Sequence, residues 1–193
     1  MAMSKFPINM VGDGFRHQEG TNPFIKPEYV EWIKGPPTSD VSFHIDQALG
    51  RQIDKTKENY GWFCESAVIL PQVANNVANN LSHYKRKYKF IFTHNRTLIQ
   101  IDPEFIKFTL PHAMPWIQHR RIYDKTKLVS FIGSRKVMCS GHAFRQKKII
   151  ELRGQVDHFG RGYPGKELPM KINTANGIES GKILGLKDYI YSA

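Results

Sequence analysis

The chain has 193 residues, with 28 Lys and Arg against 17 Asp and Glu, a formal charge of +11. That length suits one large domain or two small ones, and 40% hydrophobic with 12% aromatic residues is globular composition that implies a packed core. No run of about 18 apolar residues occurs, which argues against a transmembrane helix, and the start "MAMSKFPINMVGDGF" has no long apolar signal core. The two cysteines, Cys64 and Cys139, make no disulfide framework, so a reducing, cytoplasmic setting is expected. The positive charge implies affinity for polyanions or phosphorylated ligands.

In chain order, "FPINMVGDG" reads as a buried strand entering a glycine turn. Gly12 and Gly14 begin a G-x-G, but His17 stands where a dinucleotide fingerprint needs glycine. Residues 20 to 40 are proline-rich and aperiodic and read as loop plus a short "PEYVEWI" helix. "VSFHI" at 41 to 45 and "YGWFCE" at 60 to 65 are strand-like. Val73, Ala74, Val77, Ala78 and Leu81 then make one apolar stripe, so a helix is expected, with Pro71 at its first position. The basic "HYKRKYK" at 83 to 89 closes it, as a solvated helix end or a nucleic-acid patch. "KFIFTH" at 89 to 94 and "FIKFTLP" at 105 to 111 follow as strands, which completes an α/β layer over residues 1 to 117.

Residues 118 to 127, "QHRRIYDKTK", are polar and aperiodic and read as a linker. The pattern restarts over 128 to 193. "LVSFIGS" is a strand, and "GHAFRQKKIIEL" at 141 to 152 is a helix with Ser140 or Gly141 as N-cap. Phe144, Ile149, Ile150 and Leu152 are assigned to its inner face. "VDHFG" is a short strand, "GRGYPGKELPMKINTANG" a loop, and "KILGLKDYIYSA" a short helix and a strand. So small an α/β unit buries little surface alone, and it reads as part of a longer domain.

Two segments carry chemistry. Glu65 ends an aromatic strand, at the carboxyl edge where open α/β sheets bind ligands. There an acid is either an ordinary loop residue or a general base, and Trp62 and Phe63 either pack in the core or lower the polarity around it. In "FIGSRKVMCSGHAFRQKK" a strand feeds a turn containing Ser134, Arg135 and Lys136, and Arg145 lies in the first turns of the next helix. Helix N-termini suit phosphate oxygens. An arginine there works against the helix dipole, so it reads either as gripping an anion or as an exposed residue on a solvated helix face.

The motifs "YGWFCESAVILP", "YKFIFTHNRTL", "KFTLPHAMPWI", "SFIGSRK", "GHAFRQKKIIEL", "VDHFGRGY" and "KILGLKDYIYS" span about 60 to 192. In order and spacing they resemble glycosyltransferase family 10, the fucosyltransferase family, and more closely its viral and marine microbial relatives. The resemblance implies a GT-B architecture: a Rossmann-like acceptor-side domain and the beginning of a second, nucleotide-sugar-side domain across a cleft. It implies metal-independent, inverting sugar transfer from a nucleotide-diphosphate donor to a glycan hydroxyl, with no cofactor. Glu65 matches the general base, and Arg145 matches an arginine on the donor diphosphate, beside Ser134, Arg135 and Lys136. Trp62, His94 and Tyr163 would line the cleft. In the family a Glu-Asn pair follows the strand matching "DYIYS", and a later Glu-Lys pair contacts ribose and phosphate. Ala193 precedes both, so the second domain is expected to be incomplete and the chain inactive as it stands.

Other chemistries have weaker support. Cys139 and His142 have C-x-x-H spacing without a second pair, so no metal site is expected. "GSR" lacks the flanks of a nucleophile elbow. The rival reading is a nucleic-acid-binding module using the basic stretch with Tyr84, Tyr88 and Phe90 for stacking. A third is a non-catalytic remnant that binds a glycan or a partner chain.

Overall fold

The computed structural model describes residues 4–12, 27–34, 36, 38–51, 53–54, 57–110, 121–161, 166–169, 171–175 and 177–192. The chain divides into two compact units, Met1–Met114 and Pro115–Ala193. Both are α/β, and unit 1 is Rossmann-like.

Unit 1 is built on strands β1 (Phe6–Val11), β2 (Val30–Ile33), β3 (Val41–Ile45), β4 (Glu58–Phe63), β5 (Ile91–Thr93) and β6 (Ile106–Phe108). They form a six-stranded sheet in the order β2-β1-β3-β4-β5-β6, with every pair parallel. Helices α1 (Pro71–Asn79), α2 (Leu81–Lys85) and α3 (Arg96–Ile101) pack on one face. Their Ala74, Val77, Tyr84 and Leu98 join Phe63, Ile91 and Ile106 in the main core. Burying one such Val or Leu is worth about 1.5–3 kcal/mol.

The apolar stripe expected from Val73 to Leu81 is present, but the helix breaks at Asn80, whose φ of −127° and ψ of 35° are not helical. Asn80 is a residue type that bonds to nearby backbone in preference to continuing a helix, and its Nδ2 donates to Asn76 O at 3.2 Å. The segment read as a "PEYVEWI" helix is strand β2, because Val30 to Ile33 pair in parallel with Phe6 to Asn9. Helix α3 was not foreseen. Its signal is Asn95, whose side chain accepts from Leu98 N at 3.1 Å as an N-cap.

The other face of the sheet is aromatic. Phe43 stacks on Tyr60 at 5.1 Å and on Phe92 at 6.0 Å, and Trp32 meets Phe43 edge-on at 5.7 Å. These are in-register neighbours, Phe43 opposite Tyr60 and Trp62 opposite Phe92.

On the helix-bearing face lies a buried polar row built on Asn9, Ser42, His44 and Asn59. Asn9 Nδ2 donates to Ser39 O and Ser42 Oγ, and Asn9 Oδ1 accepts from Thr38 N and Ser39 N. This clamps the short β2–β3 crossover onto that face. Asn59 Nδ2 donates to the carbonyls of Asp54 and Lys57, which turns its Oδ1 toward His44 Nε2 at 3.2 Å. Nε2 therefore carries the His44 proton.

Unit 2 has a three-stranded parallel sheet in the order β11-β7-β8. Its strands are β7 (Lys127–Ile132), β8 (Asp157–Phe159) and β11 (Tyr189–Ser192), with α4 (Ser140–Glu151) between β7 and β8. Of the expected linker, residues 118 to 120 lie outside the described residues, and Lys127 already belongs to β7. The segment read as loop before residue 177 contains β9 (Lys171–Thr174), paired antiparallel with β10 (Gly177–Ser180) through a two-residue connection. Gly177, which opens β10 opposite Thr174, has a φ of 106°, a left-handed value that favours glycine. A 3-10 turn, Gly181–Gly185, precedes β11, in place of the short helix read there.

Two expectations for α4 are corrected. Its N-cap is Cys139, not Ser140 or Gly141, and His142 reaches back so that its Nδ1 accepts from Met138 N at 3.1 Å. Its inner face is also rotated. Phe144 is 62% and Ile150 70% exposed, whereas Ile149 is buried and His142, Arg145, Gln146 and Leu152 are half-buried. Those five residues share one 3.6-residue stripe, so the helix turns three polar residues, His142, Arg145 and Gln146, inward.

Burial holds the His44 imidazole below its ordinary range, outweighing the bond to Asn59. A folded-state pKa lowered in a cation means that the unfolded chain binds the proton more readily. The stability is fully present above about pH 6.5, the ordinary histidine value. It declines as the pH is lowered through the window beneath, by at most about 1.4 kcal/mol per pH unit. Urea unfolding followed by tryptophan fluorescence at pH 7 and pH 5 is expected to show this decline in the wild type and a shallower one in His44→Gln. Equal slopes would contradict it.

Candidate functional site

All strands of a parallel sheet point their carboxyl ends at one edge, and the candidate residues collect at these edges in both units. In unit 1, Glu65 lies two residues beyond β4, and His94 directly follows the adjacent β5. Glu65 is exposed, and its Oε1 accepts from Ser66 N at 3.0 Å. His94 is half-buried, and its Nδ1 is buried with no hydrogen-bond partner among the described residues. Trp62 is half-buried on the aromatic face, packed with Trp32 against the small core of Met10, Ile45 and Cys64.

Of its two readings, Phe63 takes the core-packing one. Phe63 is 0% exposed in the helix-side core, and the pleat turns it away from its neighbours Trp62 and Cys64. Cys64 is buried, and its thiol is pushed well above the ordinary range, chiefly by burial and then by the carboxylates of Asp46 and Glu65. It is therefore a packing residue and not a nucleophile.

Asp46 is the residue at this edge that sequence reading missed. It follows β3, and its Oδ1 accepts from both Cys64 N at 2.8 Å and Glu65 N at 2.9 Å. Its φ of 49° is the only positive value at a non-glycine among the described residues. Beside it Gly12 ends β1 with a φ of 121°, and a Cβ there would stand 2.9 Å from Ile45 O and 3.0 Å from the Ala48 Cβ. The hint in the sequence is an acid directly after a strand, "VSFHID".

In unit 2 the edge is basic and paved with glycine. Gly133 follows β7 and Gly160 follows β8. A Cβ on Gly160 would fall 1.5 Å from Gly133 O, so the two strand ends approach more closely than any side chain allows. The turn after Gly133 holds Ser134, Arg135 and Lys136. Arg135 and Lys136 are exposed, and Arg135 N bonds Arg161 O at 3.4 Å. Ser134 is half-buried, and its carbonyl accepts from Gln146 Nε2 at 2.7 Å, which ties α4 to the turn.

Arg145, on the inward stripe of α4, lays its stem against Gly133. Its Cδ is 3.5 Å from where a Cβ on that glycine would stand. Its Nε is buried and finds no partner among the described residues. The alternative of an arginine on a solvated helix face is thereby set aside. No acidic residue occupies the first turn of α4, and its N-cap side chain makes no capping bond. The edge therefore gathers Arg135, Lys136, Arg145 and Arg161 where helix polarity also favours an anion.

A concavity of about 890 Å³ runs from this edge along β8, with Arg135 and Gln146 at one end and Lys127, Asp157 and Tyr189 at the other. The far end is self-satisfied: Lys127 Nζ lies 3.0 Å from Asp157 Oδ2, which also accepts from the Tyr189 hydroxyl. These donors, Tyr189 first, hold the Asp157 carboxyl below the usual range. Arg153 and Lys166 line the concavity as further cations. Tyr163, and Gly14 and His17 of the glycine turn, lie outside the described residues.

The "HYKRKYK" stretch is largely engaged within the fold. Tyr84 and Tyr88 are only 4% and 3% exposed. Lys85 pairs with Asp102 and Lys89 with Glu58, and Lys87 Nζ donates to Gly50 O at 3.0 Å and Arg51 O at 3.2 Å. Those two tyrosines offer no stacking platform. Among the described residues no three His, Cys, Asp or Glu are grouped to hold a metal ion, and no helix is long and apolar enough to cross a membrane.

Compared with known protein families, characterised proteins and solved structures, the chain matches none.

The glycine contact at the unit 2 edge has a measurable consequence. Gly154 also has positive φ, at 82°, but a Cβ there meets nothing within 4 Å. Gly154→Ala is expected to cost only left-handed strain, about 1–2 kcal/mol. Gly160→Ala adds a backbone collision and is expected to exceed that by at least about 2 kcal/mol in chemical denaturation. Equal losses would refute the close approach.

Proposed function

We propose that this chain is a glycosyltransferase-like protein: the unit 2 edge takes the diphosphate of a nucleotide-sugar donor, and Glu65 serves the acceptor. The observation that carries the reading is Arg145, turned inward onto a glycine-paved strand end with a buried Nε that has no partner among the described residues, on an edge that also carries Arg135, Lys136 and Arg161. An unsatisfied buried donor costs about 1–3 kcal/mol. A phosphate oxygen would satisfy it, and a guanidinium fork suits phosphate in bidentate fashion.

The chemistry is a displacement at the anomeric carbon. The acceptor oxygen bonds to that carbon as the bond to the phosphate oxygen breaks, and the electron pair leaves with the nucleoside diphosphate. Glu65 takes the hydroxyl proton, and the unit 2 cations stabilise the charge gathering on the departing phosphate. The reading needs no metal. Exposure suits Glu65, because a base must be reachable by an acceptor hydroxyl.

Calorimetry with a panel of nucleoside diphosphates is expected to find one that binds, with modest salt dependence. Arg145→Ala should weaken it by about 10- to 150-fold, the value of a charged hydrogen bond or two, with little change in thermal midpoint. Unchanged affinity would overturn the donor-site assignment. A steep salt slope with no nucleoside preference would instead favour polyanion binding.

With the donor so identified, Glu65→Gln in a full-length version is expected to lower kcat about 100-fold or more while leaving donor affinity intact. Turnover at the wild-type rate would remove Glu65 from the mechanism.

A further inference from the structure

We propose that Asp46 is a positioning residue: through its carboxylate it fixes the backbone that carries Glu65, and so sets where the base stands. This rests on the reading of Glu65 as the base. Three observations converge on it. The two bonds from Asp46 Oδ1 go to the amides of Cys64 and Glu65, the first two residues after β4, across 18 and 19 positions of sequence. Asp46 holds a left-handed backbone that a non-glycine residue adopts at a cost, and such strain persists where surrounding structure imposes it. The imposing structure is visible. Leu49 N bonds Asp46 O at 3.0 Å to close the turn, and Gly12 packs so tightly on Ile45 and Ala48 that a side chain there would collide.

The geometry separates this role from simple packing. Beyond Asp46, among the described residues, the chain at Glu65 is held locally, by its own carboxylate on Ser66 N and by Ile69 N and Leu70 N on Ser66 O. Those bonds shape the turn without tying it to the sheet. The Asp46 carboxylate is the tie between the end of β3 and the end of β4 beyond the last ladder pair, Ile45 with Trp62. Its negative charge, behind burial, also raises the neighbouring Cys64 thiol.

Two variants at one position test the proposal. Asp46→Gly removes the acceptor while relieving the left-handed backbone, so the fold is expected to keep its thermal midpoint. Asp46→Asn keeps an acceptor oxygen in place. In Asp46→Gly the amides of Cys64 and Glu65 should exchange hydrogen at least about 10-fold faster. Its kcat for sugar transfer should fall about 10-fold or more, with KM and donor affinity within about 2-fold, since misplacement of a reacting group acts on the chemical step. Asp46→Asn should restore most of both.

Wild-type kcat or unchanged amide exchange in Asp46→Gly would overturn the positioning role and leave Glu65 as base. So would an Asp46→Asn variant as slow as Asp46→Gly, because charge and not the hydrogen bonds would then be responsible. Wild-type turnover in Glu65→Gln would overturn both readings.

Discussion

Parallel pairing is the constraint on which the rest depends. A parallel strand must be entered from the same end as its neighbour, so each connection crosses a face of the sheet and the carboxyl ends share one edge. In unit 1 every pair in the six-stranded sheet is parallel. Its crossovers run outward from β1 to β2, then back past β1 to β3 and on to β6. The return from β2 to β3 spans only residues 34 to 40 and lies on the helix-bearing face. Asn9 secures it with four hydrogen bonds from one buried side chain. A buried amide left half-satisfied would destabilise by about 1–3 kcal/mol, so Asn9 is tolerable in a core because both ends of its amide are used. The order of strands reverses between β1 and β3, where open α/β sheets hold ligands. Gly12 and Asp46 stand at that point.

Both carboxyl edges depend on glycine for close approach, but they differ in sign. In unit 1 Gly12 lets the end of β1 meet the β3 turn, and the edge presents Asp46 and Glu65. In unit 2 Gly133 and Gly160 touch backbone to backbone, and the edge presents Arg135, Lys136, Arg145 and Arg161.

Much of the fold was legible because strand runs such as "VSFHI" and the stripe from Val73 to Leu81 follow a period that burial imposes locally. The misreadings arose where the deciding contact is distant. "PEYVEWI" has four residues in a strand because β1 is there to pair with, and nothing within the segment separates that from a short helix. The α4 face was misjudged by counting apolar residues without following helix phase, which puts Phe144 and Ile150 outward and Arg145 inward. Glu65 and Arg145 were found as residue types at strand and helix ends. Asp46 was not, because its role lies in bonds to amides 18 and 19 residues away and in a backbone angle, neither of which has a periodic signature.

The charge of +11 pointed toward polyanions, yet the densest basic stretch turned out to be occupied within the fold. Net charge sets the long-range field, but local availability decides what is bound. A lysine held by a carboxylate or by backbone carbonyls must give up that partner before it takes another, so it adds little to a ligand's affinity. A guanidinium nitrogen that is buried without a partner gains fully from an arriving anion. By that criterion Arg145 outweighs the whole of "HYKRKYK" as a sign of function, although the sequence shows one as a single residue and the other as a conspicuous cluster.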